Sequence, residues 1–161
     1  MPGRSMRMVR RAVPFLIAVV LVAGCGSSDG GDTPVACLAP AATYLTALEA
    51  APEPVRLAGE TPISGCLVDD QSTGDLADVG ASLVRAATLL SAAAQRDPGG
   101  PQTLRLGYLV GAVQEGASET SGIHADLVRR IAASYQYLEP RGTSSFDLAY
   151  AEGYAAGRSD G

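Results

Sequence analysis

The chain has 161 residues, of which 17 are acidic and 12 basic, and every basic residue is an arginine. Apolar residues make up 47% of the sequence, yet Trp is absent, so Ala, Leu and Val supply most of the apolar side chains. This composition excludes a collagen-like or charge-rich disordered chain, and the acidic balance argues against nucleic-acid binding. One His and three Cys offer few metal ligands, so we predict neither a metal site nor a cofactor.

The segment that ends at Cys25 is organised like an export signal. Four arginines, the last of them Arg11, precede an apolar run from Ala12 to Val22. This order is that of a secretory signal peptide, and the run is shorter than the roughly 20 apolar residues that a membrane-spanning helix needs. An ordinary secreted protein, or a buried N-terminal helix, is the alternative interpretation.

The end of the apolar run carries a more specific pattern. It reads Leu21-Val22-Ala23-Gly24-Cys25, with a small residue directly before the cysteine and an aliphatic residue further ahead. This segment resembles the lipobox of bacterial lipoproteins. The resemblance implies that the chain is cut before Cys25, whose thiol receives a diacylglyceryl group. The all-Arg, Ala-rich composition is also similar to that of lipoproteins from actinobacteria, a likeness that implies no activity.

The lipobox divides the chain into three parts. Residues 1–24 are the predicted signal peptide, residues 25–36 a flexible Gly/Ser-rich tether, and residues 37–158 a single domain. Cleavage removes four of the 12 basic residues and none of the 17 acidic ones, so the mature chain is more negative than the −5 of the whole sequence. Acyl chains such as palmitate on Cys25 would hold the domain at the extracytoplasmic face of the cell membrane, because each buried methylene adds about 0.8 kcal/mol.

Apolar spacings of three and four residues predict an all-α domain of four to five helices packed as a small bundle. The expected helices run from about Cys37 to Pro52, from Ser72 to Asp97, from Pro101 to about Gly116, from about Ser118 to Pro140 and from Ser144 to about Arg158. Ile123, Leu127, Ile131, Tyr135 and Leu138 are expected to face inward, and the third and fourth helices could be nearly continuous. Residues 55–64 are a candidate β-hairpin, which Pro62 weakens because it cannot donate to the ladder.

Cys37 and Cys66 are the cysteines that remain once Cys25 carries the lipid. Outside the cytoplasm such a pair in a small domain indicates a structural disulfide, and their separation of 29 positions does not fit a redox-active Cys-x-x-Cys motif. The loop that the bond would close holds few large apolar side chains. We therefore expect packing alone to order it poorly.

His124 is the only imidazole and the one candidate for acid–base catalysis. Asp126 cannot orient it locally, because positions i and i+2 do not face one another on a helix, whereas Glu119 or a residue of another helix could. A half-buried or capping histidine is the simpler interpretation. The acidic residues Asp69, Asp70, Asp75 and Asp78 lack the spacing of a calcium loop and suit a solvated helix start.

Two further patterns concern packing and binding. Gly107 and Gly111 place small side chains four residues apart on the third helix, which predicts close approach of another backbone within the domain. Phe146, Tyr150 and Tyr154 form an aromatic row on the last helix. Docking of this helix onto the bundle is the preferred interpretation, and together with His124 the row is also the best candidate for a binding surface.

From these features we predict a non-catalytic binding module that is lipid-anchored in the cell envelope, with the membrane and an envelope protein or ligand as its partners. The alternative is a small envelope hydrolase that uses His124 and a carboxylate. A substrate-capturing lipoprotein of a transporter is a third possibility, but the mature chain is too short for two typical lobes.

Overall fold

A computed structural model describes residues 32–136 and 144–161. This part of the chain contains five α-helices: α1 (Ala41–Ala47), α2 (Thr73–Ala94), α3 (Pro101–Ser118), α4 (Ala125–Tyr135) and α5 (Ser144–Asp160). Short 3-10 turns lie at Val35–Leu38, Leu48–Ala50 and Ser64–Cys66, and the described residues include no β-strand. The predicted all-α bundle is therefore confirmed. The signal peptide, Cys25, Leu138 and Pro140 lie outside the described residues.

The limits of α2 and α3 follow from local chemistry. Ser72 precedes α2, as the sequence predicted, and its Oγ accepts a hydrogen bond from the N–H of Asp75 at 3.1 Å. Helix α2 ends at Ala94, shortly before the segment from Asp97 to Gly100. Pro101 occupies the first turn of α3, where its missing N–H costs nothing. These signals place the two longest helices close to their predicted bounds.

The connections between helices differ more from the sequence predictions. The candidate hairpin at 55–64 is reduced to one antiparallel bridge between Leu57 and Thr61, with positive φ at Ala58 (50°) and Gly59 (81°) in the turn. The third and fourth helices are separated by residues 119–124, where Gly122 has φ of 90°. Ile123 lies in this connection, ahead of the first turn of α4, and is 39% exposed rather than inward-facing.

The core lies where α2 and α3 meet the other elements. Leu83, Leu106 and Leu109 are fully buried between them. The segment before α2 adds large side chains of its own, because Tyr44, Leu48, Val55, Leu57 and Ile63 are also at most 1% exposed. The expectation that this loop holds few large apolar side chains is therefore wrong. By length and composition α2 is the one helix of the described residues that could cross a membrane, with a mean hydropathy of 1.3, a property that core helices share.

Helices α3 and α5 approach each other through glycine on both sides. A Cβ at Gly107 would lie 2.9 Å from the backbone nitrogen of Tyr154, and one at Gly111 would lie 2.9 Å from that of Arg158. In the other direction, a Cβ at Gly153 would lie 3.0 Å from the backbone nitrogen of Tyr108. The predicted close packing at Gly107 and Gly111 thus occurs inside the domain, and its partner is α5.

Candidate functional site

The cysteine pair joins the first 3-10 turn, Val35–Leu38, to the 3-10 turn Ser64–Cys66, which precedes α2. Cys37 and Cys66 form a disulfide with a Cα–Cα distance of 5.4 Å, and both residues are fully buried. The hydroxyl of Tyr44 packs beside the bond and donates to the carbonyl oxygen of Cys37 at 2.7 Å. The predicted structural disulfide is confirmed.

His124 lies directly before α4, at the position of a helix cap, but its side chain does not cap the helix. The imidazole is fully buried, and each ring nitrogen has a partner: Nδ1 lies 3.0 Å from Thr120 Oγ1, and Nε2 lies 2.9 Å from Gln71 Oε1. The prediction that His124 contributes to a binding surface is therefore corrected, because no part of its side chain reaches solvent. The side chain is also more deeply buried than the half-buried histidine expected from the sequence.

Gln71 joins His124 to two other parts of the chain. Its Nε2 donates to the hydroxyl of Thr33 at 2.8 Å and to the carbonyl oxygen of Cys66 at 3.1 Å, while its Oε1 faces the imidazole. One amide thus connects the start of the domain, the disulfide and the α3–α4 connection. Among residues 32–36, the part of the predicted tether that the structure describes, Thr33 is thereby bonded to the domain.

The electrostatic surroundings of His124 oppose its charge on balance. Burial lowers the pKa of His124, because a charged imidazolium loses hydration inside the protein, and the negative charge of Asp69 acts in the opposite direction. Asp69 is itself exposed and accepts a hydrogen bond from the N–H of Ser121 at 2.8 Å. Among the described residues, no group of three His, Cys, Asp or Glu side chains is arranged to hold a metal ion.

A groove lies between α2 and α4. It has a volume of about 230 Å³, an apolar floor of Leu76, Gly80 and Leu127, and the half-exposed Ile123 at one end. Charged side chains stand at its edge, where Asp126 forms an exposed ion pair with Arg129 at 2.7 Å and Arg130 also lines the recess. The groove was not predictable from the sequence. The four-residue spacing of Leu76 and Gly80 was visible, but nothing showed that α4 lies opposite.

The aromatic row is used mainly for packing. Phe146 is 8% exposed and stacks on Tyr150 with the ring centroids 5.7 Å apart, and Tyr150 also contacts Tyr135 of α4 at 5.7 Å. The hydroxyl of Tyr154 donates to Gln114 Oε1 of α3 at 2.6 Å. These contacts agree with the preferred interpretation, in which the row docks α5 onto the bundle.

Comparisons of the chain with protein-family models, with curated proteins and with solved structures find no match.

Proposed function

We propose that this chain is a lipoprotein anchored through Cys25 at the extracytoplasmic face of the cell membrane, and that its helical domain is a non-catalytic binding module. The lipobox at residues 21–25 supports the anchor. The observation that carries the location is the Cys37–Cys66 disulfide, because structural disulfides persist in oxidising compartments and are rare in the cytosol. The disulfide, which supports export, and the lipobox, which supports lipidation, are then consistent with each other.

The groove between α2 and α4 supports the binding part of the proposal. Its volume of about 230 Å³ is below the roughly 300–1,000 Å³ of sites that enclose drug-sized ligands. It fits an apolar side chain of a protein partner better than a cofactor-sized molecule. The charged residues around it resemble the polar rim that surrounds the apolar centre of a protein interface.

The environment of His124 gives little support to the hydrolase alternative. A general base must come within hydrogen-bond reach of its substrate, and the side chain of His124 is 0% exposed. Both ring nitrogens are already occupied by Thr120 and Gln71, and no carboxylate of the described residues is bonded to either. We therefore do not assign a catalytic role to this residue.

The anchor predicts that Cys25→Ser changes the location of the protein. Without the thiol no acyl chain can be attached, so we expect the variant to stay unprocessed or to leave the membrane fraction. Fractionation and mass spectrometry of the mature N-terminus measure both results. Ser27→Ala, two residues further on, is the matched control and should be processed and retained like the wild type. Normal processing and retention of Cys25→Ser would contradict the anchor.

The binding role predicts that one face of α2 contacts a partner in the cell. A photo-crosslinking residue at Ala77, in the groove, should give a discrete protein adduct, whereas the same residue at the exposed Ala92 of α2 should not. Ile123→Asp should remove the adduct, because it places a charge at the apolar end of the groove without disturbing a buried side chain. Equal labelling from both positions, or an adduct that survives Ile123→Asp, would argue against the groove as the contact surface.

A further inference from the structure

The first turn of the domain exposes two large apolar side chains. Val35 is 85% exposed and Leu38 is 42% exposed, and they are the first and last residues of the 3-10 turn Val35–Leu38. Side chains three residues apart in such a turn lie on the same side of the backbone. Val35 and Leu38 therefore form one apolar tip at the start of the domain.

The backbone on both sides of the apolar tip is fixed to the domain. Ahead of the tip, the hydroxyl of Thr33 accepts a hydrogen bond from Nε2 of Gln71 at 2.8 Å. Within the turn, Cys37 is fully buried in the disulfide, and its N–H donates to the carbonyl oxygen of Pro34 at 2.8 Å. The tip cannot withdraw into the core without breaking these contacts. Its exposure is therefore a property of the fold.

The tip belongs to an uncharged stretch of the chain. No charged residue occurs from Thr33 to Leu48, although 18% of the whole sequence is charged, and the stretch is bounded by Asp32 and Glu49. Its other exposed residues are small or neutral: Pro40, Ala42, Thr43 and Thr46. A surface of this kind can leave water at low cost, because no charged group has to lose its hydration.

The tip also lies close in sequence to the proposed lipid anchor. Whatever its conformation, the chain from Cys25 to Thr33 spans at most about 29 Å. A domain of this size is roughly 35 Å across, so a lipid on Cys25 is too near to let the side opposite Thr33 face the bilayer. The attachment also gives the tip and the lipid a high effective concentration, so that even a weak contact between them is populated.

We propose that Val35 and Leu38 insert into the lipid surface, so that the domain lies against the membrane on residues 33–48 instead of turning freely at the end of its tether. The inference rests on the proposed function, because it takes the anchor at Cys25 as given. Apolar side chains at such an interface reach about 5–10 Å into the boundary between headgroups and acyl chains. The uncharged surface and its short distance from the anchor favour lipid over a protein partner.

The acidic residues beside the uncharged stretch give this contact a characteristic salt dependence. Asp32 is exposed, as are Asp69 and Asp70, which directly precede Gln71, the partner of Thr33. These carboxylates are repelled by anionic lipid. Salt shortens the Debye length from about 10 Å at 0.1 M to about 3 Å at 1 M. Insertion on anionic lipid should therefore increase with salt, whereas a contact held by opposite charges would weaken.

Fluorescence quenching by lipid tests the insertion. The chain from Cys25 onward, which retains every described residue, is coupled through the Cys25 thiol to phosphatidylcholine vesicles that contain a maleimide lipid and brominated acyl chains. The sequence has no Trp, so Val35→Trp places a single indole in the tip. We expect bromine to quench it at least about twofold more than the indole of Leu148→Trp, a control position in α5 that is 72% exposed. Chemical coupling replaces lipidation in the cell, so this test and that of Cys25→Ser can fail independently.

Charge substitutions and native side chains make the result specific to the tip. In the Val35→Trp background, Leu38→Asp should reduce the quenching to the level of Leu148→Trp, because it places a charge in the inserted surface. Leu148→Asp in the same background is the matched control and should leave the quenching unchanged. In the unsubstituted protein, spin-labelled lipid should broaden the methyl signals of Val35 and Leu38 more than those of Leu89 and Leu148.

Several results would overturn the insertion. Equal quenching of the two indoles, or quenching that survives Leu38→Asp, would show that the tip does not enter the lipid. A decrease in quenching with added salt on phosphatidylglycerol vesicles would show a contact made by charges. A shift of the Val35→Trp emission to shorter wavelength that grows with protein concentration in the absence of vesicles would show that a second copy of the chain covers the tip.

Discussion

Replacing Gly111 by leucine is expected to lower the free energy of unfolding by about 3 kcal/mol or more, the upper end of the range for overpacked interiors. A side chain at this position would meet the backbone of α5, where the carbonyl oxygen of Tyr154 and the nitrogen of Arg158 lie against the glycine. A backbone cannot move aside as the end of a flexible side chain can. The variant should therefore melt at a lower temperature, although leucine is the better helix former by up to about 1 kcal/mol.

A matched pair of glycine-to-alanine substitutions separates packing from helix propensity. Gly80→Ala in α2 adds a methyl group whose nearest neighbour would be Leu127 Cδ1 at 3.8 Å, an ordinary contact. It should raise the stability by about 0.5–1 kcal/mol. Gly111→Ala should lower it, because the same methyl group meets α5. If thermal denaturation shows that both variants gain stability, α3 and α5 are not in the close contact described above.

The parts of the fold that were predictable have local causes. Ser72 and Pro101 act within one turn of helix, so the start of α2 and of α3 could be read from neighbouring residues. The cysteine pairing followed by elimination once Cys25 was assigned to the lipid. The spacing of Gly107 and Gly111 indicated a close approach in the same way, although it could not identify α5 as the partner.

The candidate site was not predictable because it depends on contacts between distant positions. Gln71 and His124 are 53 residues apart, and Gln71 and Thr33 are 38 apart, so no spacing on one helix brings them together. The groove likewise needs α4 to lie beside α2. The spacing of Ile123 matched the apolar positions of α4. Helical spacing applies only from the first helical residue, however, and that residue is Ala125.

Removal of the disulfide is the second change for which we expect a large effect. In the wild type the bond restricts the unfolded chain, because it joins two residues that are 29 positions apart. The double variant Cys37→Ala/Cys66→Ala removes this restriction, so the conformational entropy of its unfolded state is higher. The chain-entropy model assigns this a loss of about 3.6 kcal/mol, a large share of the roughly 5–15 kcal/mol that stabilises a typical domain. Denaturant unfolding of the oxidised wild type and the variant measures the difference.

The buried side chains of the bridged segment determine how this loss of stability appears in the denaturant unfolding curve. Val55, Leu57 and Ile63 pack in the same core as α2 and α3, so the segment is held at its middle as well as at its bonded ends. We therefore expect the variant to unfold in one transition at lower denaturant, with the N–H of Val55 still protected in the native state. An early separate transition would mean that the bond alone orders the segment. A change below about 1 kcal/mol would show that the unfolded chain is already compact without the bond.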